Sequence, residues 1–290
     1  MLAEARELFR YRELLLTFVI RDLRVRYKNS VLGFFWSLLN PLATVIVMTV
    51  AFKYIMGIGI RNYSAYLFAA YLPWTFFQMT LMDASQSVLE HMPLVKKIYF
   101  PREILPLSAV LANLVHFALA LVVFFGYLAV IWALDPRVSP FTWTIVWVPL
   151  LVIPLTALAA GLAMFVSALN VFYEDVKYVL GVALYLLFFL CPVVYFSEHV
   201  AAADLVPERY QHAAYVAYHL NPMATYATTF RKLLLRPQPL LNRNAPEQEA
   251  TPPLPIDAGL VTAAVGVSFV VCAAGYRYFN GRKWEFVERP

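Results

Sequence analysis

The sequence predicts an all-α integral membrane fold: six transmembrane helices, an amphipathic interface helix at the N-terminus, and short re-entrant helices on the opposite side. Three observations predict it. Hydrophobic residues make up 61% of the 290 residues and charged ones only 14%, whereas soluble domains carry about 25% charged residues. Six apolar segments, roughly 31–56, 67–88, 104–133, 143–169, 179–197 and 257–279, match the ~20 helical residues that cross a hydrocarbon core. The cations are also unevenly placed. Fifteen Lys and Arg lie in the N-terminal segment, the loops 90–103 and 170–178 and the tail, against three in the opposite short loops. Lys and Arg hold short flanks in the cytoplasm, so both termini are expected there.

Residues 1–28 open the chain. Ala5, Leu8, Phe9, Leu15, Leu16 and Val19 fall on one helical face, interrupted by Arg12, which fits a helix lying along the membrane surface. A solvated, loosely ordered tail is the alternative. The apolar run Leu14–Ile20 is followed by charge and has no small-residue cleavage site, so no cleaved signal peptide is expected. The cluster from Arg21 to Lys28 then stops abruptly, and an uncharged run of 22 residues, Val31 to Phe52, begins the first span. That junction sets the orientation and places cations at the level of anionic headgroups.

The loop 90–103 carries Pro93 and Pro101 around seven residues, enough for about two helical turns. Pro suits a first turn and ends or restarts a helix, so a short cytoplasmic helix with Leu94, Val95, Ile98 and Tyr99 beside Lys96 and Lys97 is expected. An ordinary positive-inside loop would explain the lysines but not the apolar residues between them. In the third span Asn113 and His116 share a face. They read either as an interhelical polar pair or as part of a proton relay, and no acidic partner sits within a helical turn.

The fifth span places Tyr185, Phe188, Phe189 and Phe196 on one stripe, with Tyr195 adjacent and Pro192 permitting a bend. Such a stripe is either a sugar-stacking pathway wall or lipid-facing and packing aromatics. Beyond it, 198–256 begins as an aromatic, half-polar stretch suited to interfacial or re-entrant helices. It ends as the proline-rich linker 236–255.

Several chemistries are not expected. Phosphate-cradling loops need Gly-x-x-x-x-Gly-Lys-Ser/Thr, and none of the seven lysines precedes Ser or Thr. Any ATP-driven work would therefore come from another chain. Cys191 and Cys272 lie apart in apolar runs, and the histidines form no ligand-like spacing, so neither a disulfide framework nor a metal site is expected. The net charge of +5 is the positive-inside bias and does not indicate a nucleic-acid partner.

Four stretches carry a resemblance. They are Arg21-Asp-Leu-Arg-Val-Arg-Tyr-Lys-Asn-Ser-Val-Leu-Gly-Phe-Phe-Trp-Ser-Leu-Leu-Asn-Pro41, Leu94-Val-Lys-Lys-Ile-Tyr-Phe-Pro-Arg-Glu-Ile-Leu-Pro106, Ser167-Ala-Leu-Asn-Val-Phe-Tyr-Glu-Asp-Val-Lys-Tyr178 and Leu220-Asn-Pro-Met223. Together they resemble the permease subunits of type-2 ABC exporters, in the branch that exports O-antigen, capsule or teichoic acid. The resemblance implies a homodimer in the bacterial inner membrane, paired with two copies of an ATPase that binds the ATP and magnesium. It implies a non-enzymatic subunit with an interface helix over 1–28, a transmembrane domain over 29–280 and a cytoplasmic tail over 281–290.

It further implies that Leu94, Val95, Lys96, Lys97, Ile98, Tyr99 and Phe100 form the coupling helix on the ATPase. Re-entrant helices near 200–232 would close the outer mouth. The substrate would be a polysaccharide on undecaprenyl diphosphate, moving along spans one and five past Phe35, Trp36, Tyr185, Phe188, Phe189, Tyr195 and Phe196. Arg24, Arg26 and Lys28 would meet its diphosphate, alongside their role in topology. The proline-rich stretch 236–255 is longer than the linker such permeases carry there. Two rivals remain: an exporter of the same architecture moving a drug or small lipid, and, more distantly, a membrane glycosyltransferase or glycan polymerase. The second needs clustered acids or histidines, and Glu198, Asp204, Glu208 and His212 are only loosely spaced.

Overall fold

A computed structural model describes residues 7–27, 35–57, 60, 62–134, 142–198, 207–236 and 253–287. Every regular element among them is helical. In chain order these are α1 (Arg12–Tyr27), α2 (Phe35–Thr49, running into the π-helical turn Val50–Ile55), α3 (Tyr63–Glu90), α4 (Met92–Val95) and α5 (Ile104–Leu134). Then follow α6 (Val148–Phe172, after a 3₁₀ turn Trp143–Trp147), α7 (Val176–Leu190), α8 (Glu208–His219), α9 (Pro222–Leu234) and α10 (Ala258–Arg282), with a final 3₁₀ turn Lys283–Val287. Residues 7–10 are helical as well.

Among the described residues three helices are long and apolar enough to cross a membrane: α5, α6 with its 3₁₀ lead-in, and α10. The 31 residues of α5 extend about 46 Å, beyond a ~30 Å hydrocarbon core. Leu39–Ile55 and α7 are shorter apolar helices. The hub is α3, which packs against α2, α5, α6, α7 and α9 and is buried along most of its length. Because protein surrounds it, α3 can carry Thr80, Asp83, Ser85 and Ser87 without exposing them to lipid.

Two devices hold this bundle together. The first is polar glue on α3. The Asn113 amide on α5 donates to Asp83 at 2.8 Å, and the Asn170 amide on α6 donates to the Ser85 carbonyl at 2.9 Å. Asn113 thus bonds across helices, and its acid comes from a neighbouring helix, not from its own. The second is close backbone approach between α6 and α10, where Gly161 faces Gly275 and Cys272. In lipid, small residues let helices gain contact that hydrophobicity does not supply.

Boundaries differ from expectation in two places. The fifth apolar helix ends at Leu190, not at 197, because Cys191 is extended (φ −98°, ψ 145°), as a residue before proline tends to be. The chain then turns through 191–196. The buried face of the N-terminal helix also differs in part from the predicted one. Val19 is buried and Leu8 and Leu15 pack on the core as expected, but Phe9 and Leu16 point outward and Phe18 is buried instead, because α1 lies on α5, where Asp22 accepts from Ser108.

Candidate functional site

The segments with the cationic bias gather at one end of the bundle. Tyr99 in the loop after α4 stacks on Trp284 of the C-terminal turn (6.4 Å between centroids, 15° between planes). The Tyr99 hydroxyl donates to Glu7 at 3.3 Å, and the negative charge of Glu7, more than the hydrogen bond itself, raises the phenol above its ordinary value. Phe286 packs on Phe172 and Phe279. Residues near the start, the first helical connection, the 170–178 turn and the tail therefore converge.

Within this end, the expected helix between Pro93 and Pro101 is a single turn, Met92–Val95. The amides of Lys97 and Ile98 still donate to the Leu94 carbonyl at 3.1 and 3.0 Å, and Tyr99 and Phe100 leave the helix. The reason is twofold. Phe100 precedes a proline, and both Val95 and Phe100 are drawn into the core, with Phe100 stacked on Phe18 of α1. Lys96, Lys97, Ile98 and Tyr99 face outward and Leu94 is half-buried. The seven residues thus split into an anchored pair and an outward knob.

Arg24 is exposed near the end of α1. The side chain of Arg26, all of Lys28, and the side chains of Phe35 and Trp36 lie outside the described residues, as does 237–252 of the proline-rich stretch. Beside α1 a polar cavity of about 670 Å³ is lined by Arg21, Asp22, Asp83, Glu90, His91 and Ser108, among others. An apolar cavity of about 810 Å³ lies between α2, α3 and α5, with Ser64 and Tyr127 in its wall.

On α7 the aromatic residues divide. Tyr185 and Phe189 are 63% and 53% exposed and meet edge to face at 5.3 Å. Phe188 turns toward α3, against Trp74 and Tyr71. Phe196, expected on the same stripe, lies past the helix end, buried against Tyr66. Tyr195 is half-buried, its hydroxyl donating to the Phe189 carbonyl at 3.0 Å and lying 2.7 Å from the Tyr218 hydroxyl. The outward aromatic patch is therefore a pair, not a stripe of four.

The opposite end is organised by Arg231 of α9, in the stretch expected to form interfacial or re-entrant helices. It is 3% exposed and donates to four carbonyls: Tyr66 (3.2 Å), Tyr195 (3.0 Å), Pro192 (2.8 Å) and Val193 (2.9 Å). Its guanidinium lies over Phe196 at 4.3 Å. The five donors in a planar fork suit this task, because a chain broken by Pro192 leaves carbonyls without helical partners. Next to it Lys232 pairs with Glu198 at 2.9 Å, both side chains nearly enclosed. The signal for Arg231 was a pair of cations, Arg231 and Lys232, directly after the uncharged run Ala224–Phe230. Asn221 caps α9, accepting from the Met223 amide at 3.0 Å, and Pro222 fills the first turn. This accounts for the Leu220–Met223 motif.

Among the described residues no three of His, Cys, Asp and Glu come together as a ligand set. The architecture offers an exposed knob at one end, an exposed aromatic pair midway and a clasped turn at the other. Comparison with known proteins gives this layout its context. The ABC-2 type transporter family model matches residues 13–235. The chain is 29% identical to the O-antigen export system permease protein RfbA of Myxococcus xanthus over 99% of both chains. It is 31% identical to a Klebsiella pneumoniae protein of the same name, covering 77% of this chain and 80% of that one. Another Klebsiella pneumoniae RfbA is 28% identical over 95% of this chain. This multi-pass membrane chain belongs to the ABC-2 type transporter family.

Proposed function

We propose that this chain is the membrane-spanning permease subunit of an exporter for undecaprenyl-diphosphate-linked, O-antigen-like polysaccharide. The observation that carries the reading is the likeness, along nearly the whole length, to proteins named for O-antigen export. The subunit is not itself an enzyme, and a separate ATPase supplies ATP hydrolysis with its magnesium. The six spans are α2, α3, α5, α6, α7 and α10. The segment 1–28 is the interface helix, 29–280 the transport domain and 281–290 a cytoplasmic tail. The convergence of 7–27, 90–103 and 283–287 at one end supports placing both termini in the cytoplasm of an inner-membrane protein.

Two copies pair, with two ATPases below, and the glycan passes between them along α2 and α7. The exposed apolar faces of those helices support that assignment. Tyr185 and Phe189 give sugar rings broad stacking faces. Arg24, with Arg26 and Lys28, draws in the diphosphate, because clustered cations focus on multiply charged anions. The segment Leu94–Phe100 seats on the ATPase through its outward knob, Lys96–Tyr99, and relays the movement through its anchored pair. The short helices α8 and α9 act as re-entrant elements at the outer mouth, held by Arg231.

An exporter of the same architecture moving a drug or small lipid is the alternative. One experiment separates them: the chain and its ATPase are reconstituted in liposomes, and ATP hydrolysis is measured with lipid-linked glycan or with hydrophobic drugs. Stimulation by the glycan, together with restored surface polysaccharide in a permease-deficient strain, is expected. Stimulation by drugs alone overturns the reading.

A further inference from the structure

The C-terminal turn Lys283–Val287 lies outside the residues matched by the family model, yet it is built firmly into the end that carries the coupling loop. Phe286 is fully buried and Lys283 forms a 2.7 Å ion pair with Glu103, the carboxylate being 4% exposed. With these two anchors the turn holds Trp284 outward, 57% exposed, beside Tyr99 at 65%. The rings stack nearly parallel, and the Arg102 guanidinium covers Trp284 at 5.3 Å. Ile98 and the two lysines beside it complete an apolar patch with a basic border.

Two aromatic rings kept in water by anchored neighbours are a costly arrangement for a free tail. Pre-ordered Trp, Tyr and Arg are also the residue types that concentrate binding energy at interfaces. The charge narrows the occupant. Glu103 pairs with Lys283, Glu285 with Arg282, and Glu7 meets the Tyr99 hydroxyl. These three acids stand against five cations, Lys96, Lys97, Arg102, Arg282 and Lys283, so the border is basic.

We propose that the surface receiving the ATPase is composite: the loop 92–103 together with the C-terminal turn, with stacked Tyr99 and Trp284 at its centre. The partner presents an apolar groove rimmed by carboxylates. This rests on the reading that a separate ATPase drives the chain. It adds a contact made by the far end of the sequence. Through the Lys283–Glu103 pair, force applied to the loop also reaches α10.

The test uses inverted membrane vesicles carrying Trp284→Cys or Ile98→Cys, with and without the ATPase, and a membrane-impermeant maleimide. Labelling is counted above the parent chain. Both positions are expected to label without the ATPase and to be protected with it. Protection of Ile98→Cys but not Trp284→Cys overturns the composite surface and leaves the ATPase reading standing. Protection of neither overturns that reading as well. Trp284→Cys that labels in neither condition places the ring in lipid headgroups, which also overturns the proposal. A second variant guards against local collapse. Trp284→Ala should weaken ATPase co-purification roughly tenfold or more, Trp284→Phe much less, with equal membrane insertion.

Discussion

Gly275 of α10 rests directly on Gly161 of α6. A Cβ on Gly275 would lie 2.0 Å from the Gly161 carbonyl oxygen, and one on Gly161 would lie 2.5 Å from the Cα of Cys272. No side-chain rotation relieves those overlaps, because backbone stands on both sides. The last apolar helix is thus fixed to the bundle by the absence of two methyl groups. Since the ion pair to Glu103 extends from the same helix, the position of the cytoplasmic turn depends on it too.

Gly275→Val should therefore force the helices apart at a cost of roughly 1–3 kcal/mol or more. Gly266→Ala on the same helix meets nothing within 4 Å and should be neutral or slightly stabilising, by up to about 1 kcal/mol. Melting of the detergent-solubilised protein checks this. A Gly275→Val protein that melts with the parent would show that this crossing does not hold α10.

Arg231 makes a second expectation. Arg231→Ala removes the Arg donor from three carbonyls of the turn, Pro192, Val193 and Tyr195, and a second donor from the helical Tyr66 carbonyl, at about 1–3 kcal/mol for each group left buried and unpaired. Arg231→Lys keeps charge but cannot span four acceptors in one plane, so it should rescue little. Protease sensitivity of the segment 191–236 is the readout, and it should rise sharply in both variants. Equal protection in Arg231→Lys would mean that charge alone matters at this site.

Much of this layout was legible in the sequence and some was not, for a physical reason. Hydrophobic periodicity and cation placement are local properties, so they located α2, α3, α5, α6 and α10 within a few residues. Pro192 was visible too, but whether a proline kinks a helix or ends it depends on what receives the freed carbonyls. Here that is Arg231, 39 residues away. The apolar pattern of the N-terminal helix placed Leu8, Leu15 and Val19 inward, but the burial of Phe18 depends on Phe100 of another element. Trp284 read as a tail residue because its partner Tyr99 lies far away in sequence.

Acid should loosen the Arg231 end. Burial lowers His219 below its ordinary value of 6.5, and its Nε2 meets no hydrogen-bond partner among the described residues. For Glu198 burial acts upward, but the charge and hydrogen bond of Lys232, with a backbone hydrogen bond and the charge of Arg231, together outweigh it, so the carboxyl ends below its ordinary 4.5. Both groups bind protons more weakly when folded. Their contribution is present above the unfolded values and is lost as pH falls, first below about 6.5 for His219 and then below about 4.5 for Glu198. Melting temperature should decline from pH 7.5 to 5, and His219→Gln should flatten that part of the curve. An unchanged slope in the variant would remove His219 as the cause.

The aromatic residues of α7 give the sharpest separation between pathway and packing, because adjacent rings face different surroundings. Tyr185 and Phe189 point outward, whereas Phe188 is wedged against Trp74 and Tyr71. Phe188→Ala should act as a cavity mutation, costing about 3–5 kcal/mol where burial is complete and less for this half-buried ring. It should lower the melting temperature. Tyr185→Ala with Phe189→Ala removes no enclosed contact of that kind, so stability should change little. Export, however, should slow, since stacking on an aromatic face is worth roughly 1–3 kcal/mol where a planar ring slides over it and less on a sugar. Export rate and melting measured on the same preparations decide the matter. If the double variant exports normally while Phe188→Ala fails in both, α7 serves packing and the glycan path lies on another helix.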